Sequence, residues 1–327
     1  MSGNHIFTAL ALAVGALCTL ASGGALAQAF PNKPIRLIVG FPAGTGPDLV
    51  ARVVAQKLQD SPGFNVVVDN KPGAGGLIAA QEAARAAPDG YTLMLGEVGQ
   101  LAIATSSYSR LPYEVQRDFA PVSHIANTDF VLLTNPDKNP AKTAREFATW
   151  AKAQPKFFMG TFGAGTPGHF GAYMFGEAAG VNVEPVHYKS TGDAVGGLLG
   201  GDIPAMFATV ALAAPNVKAG KMRALAVSSG SRAPALPEVP TLREQGFGSL
   251  EFSAWFGIVA PAKTPDEILN RLNAEVVKAV SGAEARSKLQ EMGFKVTGSS
   301  RAEFAAIIRD DTARWGKAVA ATGFKAD

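Results

Sequence analysis

Cysteine is almost missing from this chain. The one cysteine, Cys18, lies in an apolar N-terminal run that is expected to be removed, so the remaining chain has no thiol. Disulfides, cysteine metal sites and cysteine nucleophiles are thereby excluded. Histidine is scarce too: after His5 only His124, His169 and His187 remain. None has a serine nucleophile or a carboxylate partner at a recognisable spacing, no GxSxG occurs, and Glu184 and His187, three apart, lie on an expected strand with Pro185 between them. Each histidine therefore reads as structural, or as a neutral hydrogen-bonding group, rather than as a catalyst. No tract of Lys or Arg appears, and 30 basic against 27 acidic side chains leave a net charge of +3. That gives nucleic acid no electrostatic footprint to bind. Beyond the N-terminus no apolar run is long enough to span a bilayer.

The N-terminus is a different matter. Ile6 to Ala21 is apolar, and Ala25–Leu26–Ala27 precedes Gln28. Small residues three and one before the cut are what signal peptidase accepts, so residues 1–27 read as a secretory signal cleaved after Ala27. The apolar run is short of the ~20 residues of a membrane anchor. Cys18 follows Gly15–Ala16–Leu17, which does not fit a lipoprotein signal. An exported chain without disulfides suits a bacterial periplasm.

What is present in quantity is alternation. With 47% hydrophobic and 17% charged residues, the 327-residue chain can bury two domain cores. Ile35–Gly40 is a buried-strand run. Leu49, Val50, Val53, Val54 and Leu58 then recur at helical spacing behind Asp48, a natural helix N-cap. Strands follow at Phe64–Asn70 and Tyr91–Gly96, with a helix over Leu77–Ala87 between them. Further on, strands are expected at Phe130–Thr134, Lys156–Gly163 and Val183–Tyr188, with helices over Thr143–Gln154 and Asp193–Leu199 and a run from loop into helix over Thr166–Gly180. Ile203–Thr209, Arg223–Ser229 and a returning strand over Glu251–Pro261 come next. Helices over Pro265–Ser281 and Arg301–Thr322 close the chain. Strand–helix–strand units of this size predict an α/β fold with parallel sheet.

Function should sit on the strand-to-helix turns. FPAGTGPD (Phe41–Asp48) offers the first two glycines of a dinucleotide fingerprint, Gly44 and Gly46, and Asp69 lies where a ribose-binding acid would. The third small position is Leu49, however, and Pro47 intrudes, so the fingerprint fails. GAGTPGH (Gly163–His169) lacks the Lys and Ser/Thr of a phosphate-binding P-loop. What remains, with KPGAGG (Lys71–Gly76) and GEVG (Gly96–Gly99), is a set of turns with small hydroxyls and free N–H groups. In open α/β sheets ligands lie off the carboxyl ends of strands, and helix N-termini there suit carboxylates. The chemistry is capture rather than conversion, with no cofactor. An enzyme acting on a small carboxylate is the weaker reading, because no acid–base pair is visible.

These blocks, in this order, resemble the periplasmic solute-binding proteins of tripartite tricarboxylate transporters, the Bug (Bordetella uptake gene) family. The resemblance runs from FPNKPIRLIVGFPAGTGPDLVAR (Phe30–Arg52) through NKPGAGGLIAAQEAARAAPDGYTLMLG (Asn70–Gly96), LPYEVQRDFAPVSHIA (Leu111–Ala126) and GAGTPGHF (Gly163–Phe170). It continues in VHYKSTGDAV, LLGGDIPAMF, AGKMRALAVSS, LPEVPTLREQGF and WFGIVAPAKTP. It implies a two-domain Venus flytrap of the type II periplasmic-binding-protein class. One domain would comprise residues 28–127 and 251–327, the other residues 128–250.

The resemblance also implies where the ligand goes. Its carboxylate would meet backbone groups of two loops, Phe41–Gly46 and Gly163–His169. Phe41, Ala43, Gly44, Thr45, Gly46, Gly163, Gly165, Thr166 and His169 are thus candidates, with Gly75, Gly76 and Tyr188 beside the cleft. Gly44 would allow close backbone approach, and Phe41 reads equally as core. Two departures from the family pattern are carboxylates: Glu97, where Ser or Thr is common, and Asp193, where Pro is common. Facing the cleft they would take an ammonium or hydroxyl of the ligand; facing solvent they are caps or surface charges. The implied ligand is a small organic carboxylate: a dicarboxylate, an aromatic carboxylate or an amino acid. The implied partners are permease subunits, the chain itself being a monomer. A sensor that feeds a membrane kinase is the alternative use of the same clamp.

Overall fold

The computed structural model describes residues 30–248 and 250–326. The expected signal and its cleavage position lie outside the described residues. The chain starts with strand β1 (Ile35–Val39), helix α1 (Gly46–Leu58), β2 (Val66–Asn70), α2 (Leu77–Ala84) and β3 (Thr92–Glu97). β1 pairs in parallel with both β2 and β3. α1 forms as the spacing predicts: Val50, Val53, Val54 and Leu58 are buried in one stripe with β1. Each such side chain contributes about 1.5–3 kcal/mol of transfer free energy. The N-cap is Thr45, not Asp48, which sits in the first turn.

After β3 a π-helical turn (Gly99–Ile103) runs into α3 (Ala104–Ser107), and α4 (Val115–Asp118) leads into β4 (Phe119–Thr134). β4 spans 16 residues where only Phe130–Thr134 is predicted as strand. It joins the two halves of the molecule. α5 (Ala144–Lys152), β5 (Phe157–Thr161), α6 (Pro167–Ala179), β6 (Val183–His187), α7 (Thr191–Gly200), β7 (Ala205–Thr209), α8 (Val210–Lys218) and β8 (Arg223–Val227) build the second sheet and its helices. The chain returns through β9 (Ser253–Pro261) and ends in α9 (Asp266–Ser281), α10 (Ala283–Glu291), β10 (Phe294–Val296) and α11 (Arg301–Thr322). α3, α4, α8, α10 and β10 are additions to the sequence-based outline.

Neighbouring strands run in the order β2-β1-β3-β9-β4-β7-β5-β6, with β8 and β10 also on β4. β4 pairs antiparallel with β9 from Phe119 to Asp129 and with β7 from Phe130 to Thr134. A single strand thus changes sheets between Asp129 and Phe130, and two lobes face each other across that point. Two polar residues of its first part are buried and paired: Lys295 Nζ lies 2.8 Å from Asp129, and Ser123 Oγ donates to the Ser299 carbonyl at 2.8 Å. His124 is buried there and stacks on Phe304.

α11 ties the lobes together from behind. Ser300 and Glu303 form a capping box at its start. Trp255 Nε1 on β9 donates to Asp311 at 2.6 Å, while Trp315 and Phe324 pack on Phe170 of α6. Among the described residues no helix is long and apolar enough to cross a membrane.

Candidate functional site

Two loops of one design meet where the lobes face each other. β1 leads into α1 through Phe41-Pro-Ala-Gly-Thr45, and β5 leads into α6 through Phe162-Gly-Ala-Gly-Thr166. Thr45 Oγ1 donates to the Pro42 carbonyl at 2.6 Å; Thr166 Oγ1 donates to the Gly163 carbonyl at 2.9 Å. Gly44 N–H donates to Asp48 Oδ2 at 2.9 Å; Gly165 N–H donates to His169 Nδ1 at 3.1 Å. Gly44 and Gly165 have φ of +80° and +74°, a conformation that favours glycine. Phe-x-Ala-Gly-Thr thus occurs twice with the same pair of hydrogen bonds, each loop locked by the side chain four places after its second-last residue, the glycine.

The two locks differ in chemistry. Asp48 is buried and also accepts from Arg52 Nε at 2.9 Å and Asn70 Nδ2 at 3.0 Å. Burial alone would raise its carboxyl, but the bonds from Arg52, Gly44 and Asn70 outweigh that and hold it below the usual carboxylate range. His169 is fully buried against Phe324 and Tyr173. Burial, followed by the nearby His187, pushes its imidazole down to about 3. A neutral ring whose Nδ1 accepts a hydrogen bond carries its proton on Nε2.

Between the loops lies an inner cavity of about 60 Å³. Its walls use matching positions of both: Phe41 and Phe162, Thr45 and Thr166, Gly46 and Pro167, Pro47 and Gly168. The first turns of α1 and α6 both abut it, so unpaired N–H groups and the positive ends of two 13-residue helices converge there. Phe130, Phe207 and Phe256 close the apolar part. Glu97, at the end of β3, is one polar wall, and Thr209, at the end of β7, another.

Glu97 is 6% exposed, and its Oε1 has no hydrogen-bond partner among the described residues. Burial pushes its carboxyl up to about 8. Its backbone N–H donates to Gln100 Oε1 at 2.8 Å, and Gln100 Nε2 reaches the Gly76 carbonyl at 3.4 Å. Gly99 leaves the carboxyl its space, since a Cβ there would lie 2.7 Å from Glu97 Oε1.

An outer groove of about 390 Å³ adjoins the cavity, sharing Phe41 and Phe162 with it. Gly75, Gly76, Gly163, His187, Tyr188 and Lys189 line it. Thr161 Oγ1 and His187 Nδ1 are 2.6 Å apart at its edge.

The sequence profile described as tripartite tricarboxylate transporter family receptor matches residues 50–324. The chain belongs to that family. BugT of Bordetella pertussis is 34% identical over 301 residues, 91% of this chain and 92% of that one. A Rhodopseudomonas palustris protein solved with adipate is 30% identical with a TM-score of 0.87, covering 90% of this chain and 99% of its own. MatC of the same organism, solved with bound malate, is 29% identical with a TM-score of 0.84, covering 89% and 100%. The fold is accordingly the two-lobed α/β fold of periplasmic binding proteins.

Within this receptor the candidate residues divide into three groups. Phe41, Thr45, Gly46, Glu97 and Thr166 line the inner cavity, Phe41 serving as core as well. Gly75, Gly76, Gly163 and Tyr188 line the outer groove. Ala43, Gly44, Gly165, His169 and Asp193 line neither. Ala43 and Gly44 are exposed at the loop tip; a Cβ on Gly44 would meet nothing within 4 Å, so its backbone conformation and not close approach calls for glycine. Gly165 and His169 are buried behind the second loop as its lock. Asp193 is exposed because Ser190 takes the N-cap of α7, Asp193 N–H donating to its Oγ at 3.0 Å. Phe162, Thr209 and the three closing phenylalanines were not among the expected residues. The signal for Phe162 was present, as the repeat of Phe-x-Ala-Gly-Thr at residues 41–45 and 162–166.

Proposed function

We propose that this receptor captures a small organic carboxylate between its lobes, without turning it over, and delivers it to permease subunits of a tripartite transporter. The observation that carries the reading is the convergence of two helix N-termini on one cavity between the lobes. Such ends supply N–H donors and a positive dipole end where a carboxylate can replace its lost water. The relatives solved with adipate and malate support a dicarboxylate-sized ligand. Residues 28–127 with 251–327 act as one domain and residues 128–250 as the other; the partner change in β4 after Asp129 supports that division. Cleavage after Ala27 releases the monomer into the periplasm, and closure of the lobes gives the permease a state to recognise.

Thermal unfolding of the purified protein across a panel of carboxylates tests this. The panel holds C4–C6 dicarboxylates, citrate, acidic amino acids, nicotinate and aromatic dicarboxylates. A ligand of the native state raises the midpoint with the logarithm of its concentration. Absence of any shift, with no co-purified small molecule on mass spectrometry of the denatured protein, would remove the carboxylate reading.

A further inference from the structure

Glu97 is the one ionisable side chain on the wall of the inner cavity. Its carboxyl is buried, its Oε1 is unpartnered, and Gly99 leaves it room. At the corresponding strand end of the other lobe stands Thr209, so the acid breaks an otherwise matched pair of walls. Nothing in the fold uses this acid, since no Lys, Arg or His among the described residues forms an ion pair with it. A buried polar atom left without a partner is destabilising, and a group of this kind is retained where something else completes it. Five phenyl rings, of Phe41, Phe130, Phe162, Phe207 and Phe256, make up much of the remaining wall. Ring faces attract a cation and do nothing for an anion.

We propose that the cavity selects an amino-substituted carboxylate: the ammonium sits against Glu97 among the phenyl rings, and the carboxylate takes the first-turn N–H groups of α1 and α6. The proposal rests on the carboxylate-capture reading above and narrows it. A plain dicarboxylate in the same place would set a second anion beside Glu97, or require Glu97 to keep a proton and donate it. An ammonium instead draws the proton off Glu97, which passes to solvent as a buried ion pair forms. No other ionisable group faces this carboxyl from α1, α6, α8, β4, β7 or β9 across the cavity; Asp48 and His169 are engaged behind their loops.

Titration calorimetry with matched pairs tests the assignment: succinate and aspartate, adipate and 2-aminoadipate, hydrocinnamate and phenylalanine. The expected result is that, in at least one pair, the amino member binds tenfold or more tightly than its partner and releases about one proton below pH 8. Glu97→Gln should cut that preference below threefold. Gly99→Ala, which presses a methyl onto the Glu97 carboxyl, should reduce it too and serves as the second variant. If the unsubstituted members bind as well as the amino ones, or the preference survives in E97Q, the ammonium assignment is wrong and carboxylate capture stands. If no member of any pair binds, the ammonium assignment is wrong, and the wider carboxylate panel above decides the capture reading separately.

Discussion

Gly75 and Gly163 touch across the cleft with no side chain between them. A Cβ on Gly163 would lie 3.2 Å from the Gly75 Cα, and one on Gly75 would lie 2.8 Å from the Ala164 carbonyl oxygen. The lobes are closed here because two glycines face each other. Gly75 also has φ +62°, so any replacement adds backbone strain of roughly 1–2 kcal/mol. Gly75→Val is expected to fold, with a midpoint a few degrees lower, but to hold the lobes apart. Small-angle scattering should give a larger radius of gyration than wild type, and ligand affinity should fall at least tenfold. An unchanged radius and affinity would mean that this contact does not govern closure.

Asp48 locks the first loop with three hydrogen bonds, and its removal should cost more than a surface change. Asp48→Ala leaves the Gly44 N–H without its acceptor and takes from the Asn70 amide one of its two, the Phe41 carbonyl remaining, a loss of about 2–4 kcal/mol. The pH dependence follows from its lowered carboxyl. The contribution is fully present above the unfolded-state value of about 4 and declines below it, as pH falls toward the lower folded value. Denaturant unfolding at pH 6 and pH 3 should therefore show a wider gap between wild type and variant at pH 6 than at pH 3. A gap that stays constant would show that the carboxylate charge is not what the loop needs.

How much of this was legible beforehand depended on how each residue earns its place. α1 could be read from spacing because one face is buried and one is wet. The first part of β4 could not: Ser123, His124 and Asp129 are polar yet buried, and they meet partners far along the chain at Ser299 and Lys295. α8 was hidden by Pro215 within it. Glu97 ends a strand whose last five residues, Leu93–Glu97, are all buried, so alternation cannot say which way it points. Asp193 was decided by a competitor, Ser190, that takes the cap. The twin loops were each readable as helix starts, but only the fold superposes them and reveals one shared cavity.

His169 locks the second loop as a neutral acceptor, which makes that loop acid-sensitive. Its imidazole is held down to about 3 by burial and then by His187, against an ordinary value of 6.5. The unfolded chain takes up the proton first, so stability is full above pH 6.5 and declines as pH falls from there toward 3. One such group removes at most about 1.4 kcal/mol per pH unit. His169→Gln keeps a side-chain acceptor within reach and cannot titrate. Its denaturation midpoint should fall less between pH 7 and pH 5 than that of wild type. Parallel curves for the two proteins would show that another group carries the acid sensitivity.

Glu97 works in the opposite direction. Its folded carboxyl is raised to about 8 by burial, from an ordinary 4.5. Here the unfolded chain loses the proton first, so the ligand-free fold is most favoured below pH 4.5 and loses stability as pH rises toward 8. Glu97→Gln removes the titration and should make the empty protein more stable than wild type at pH 8, with the difference shrinking toward pH 5. The binding of an amino-substituted carboxylate supplies the missing cation and should abolish that difference in wild type, because a paired buried carboxylate no longer needs its proton. An acid that weakens the empty fold at neutral pH and ceases to do so when the cavity is filled couples ligand chemistry to stability. Thermal unfolding of both proteins from pH 5 to pH 9, with and without 2-aminoadipate, measures it. A wild type as stable as E97Q at pH 8 without ligand would show that the Glu97 carboxyl already has a partner, and the coupling would be lost.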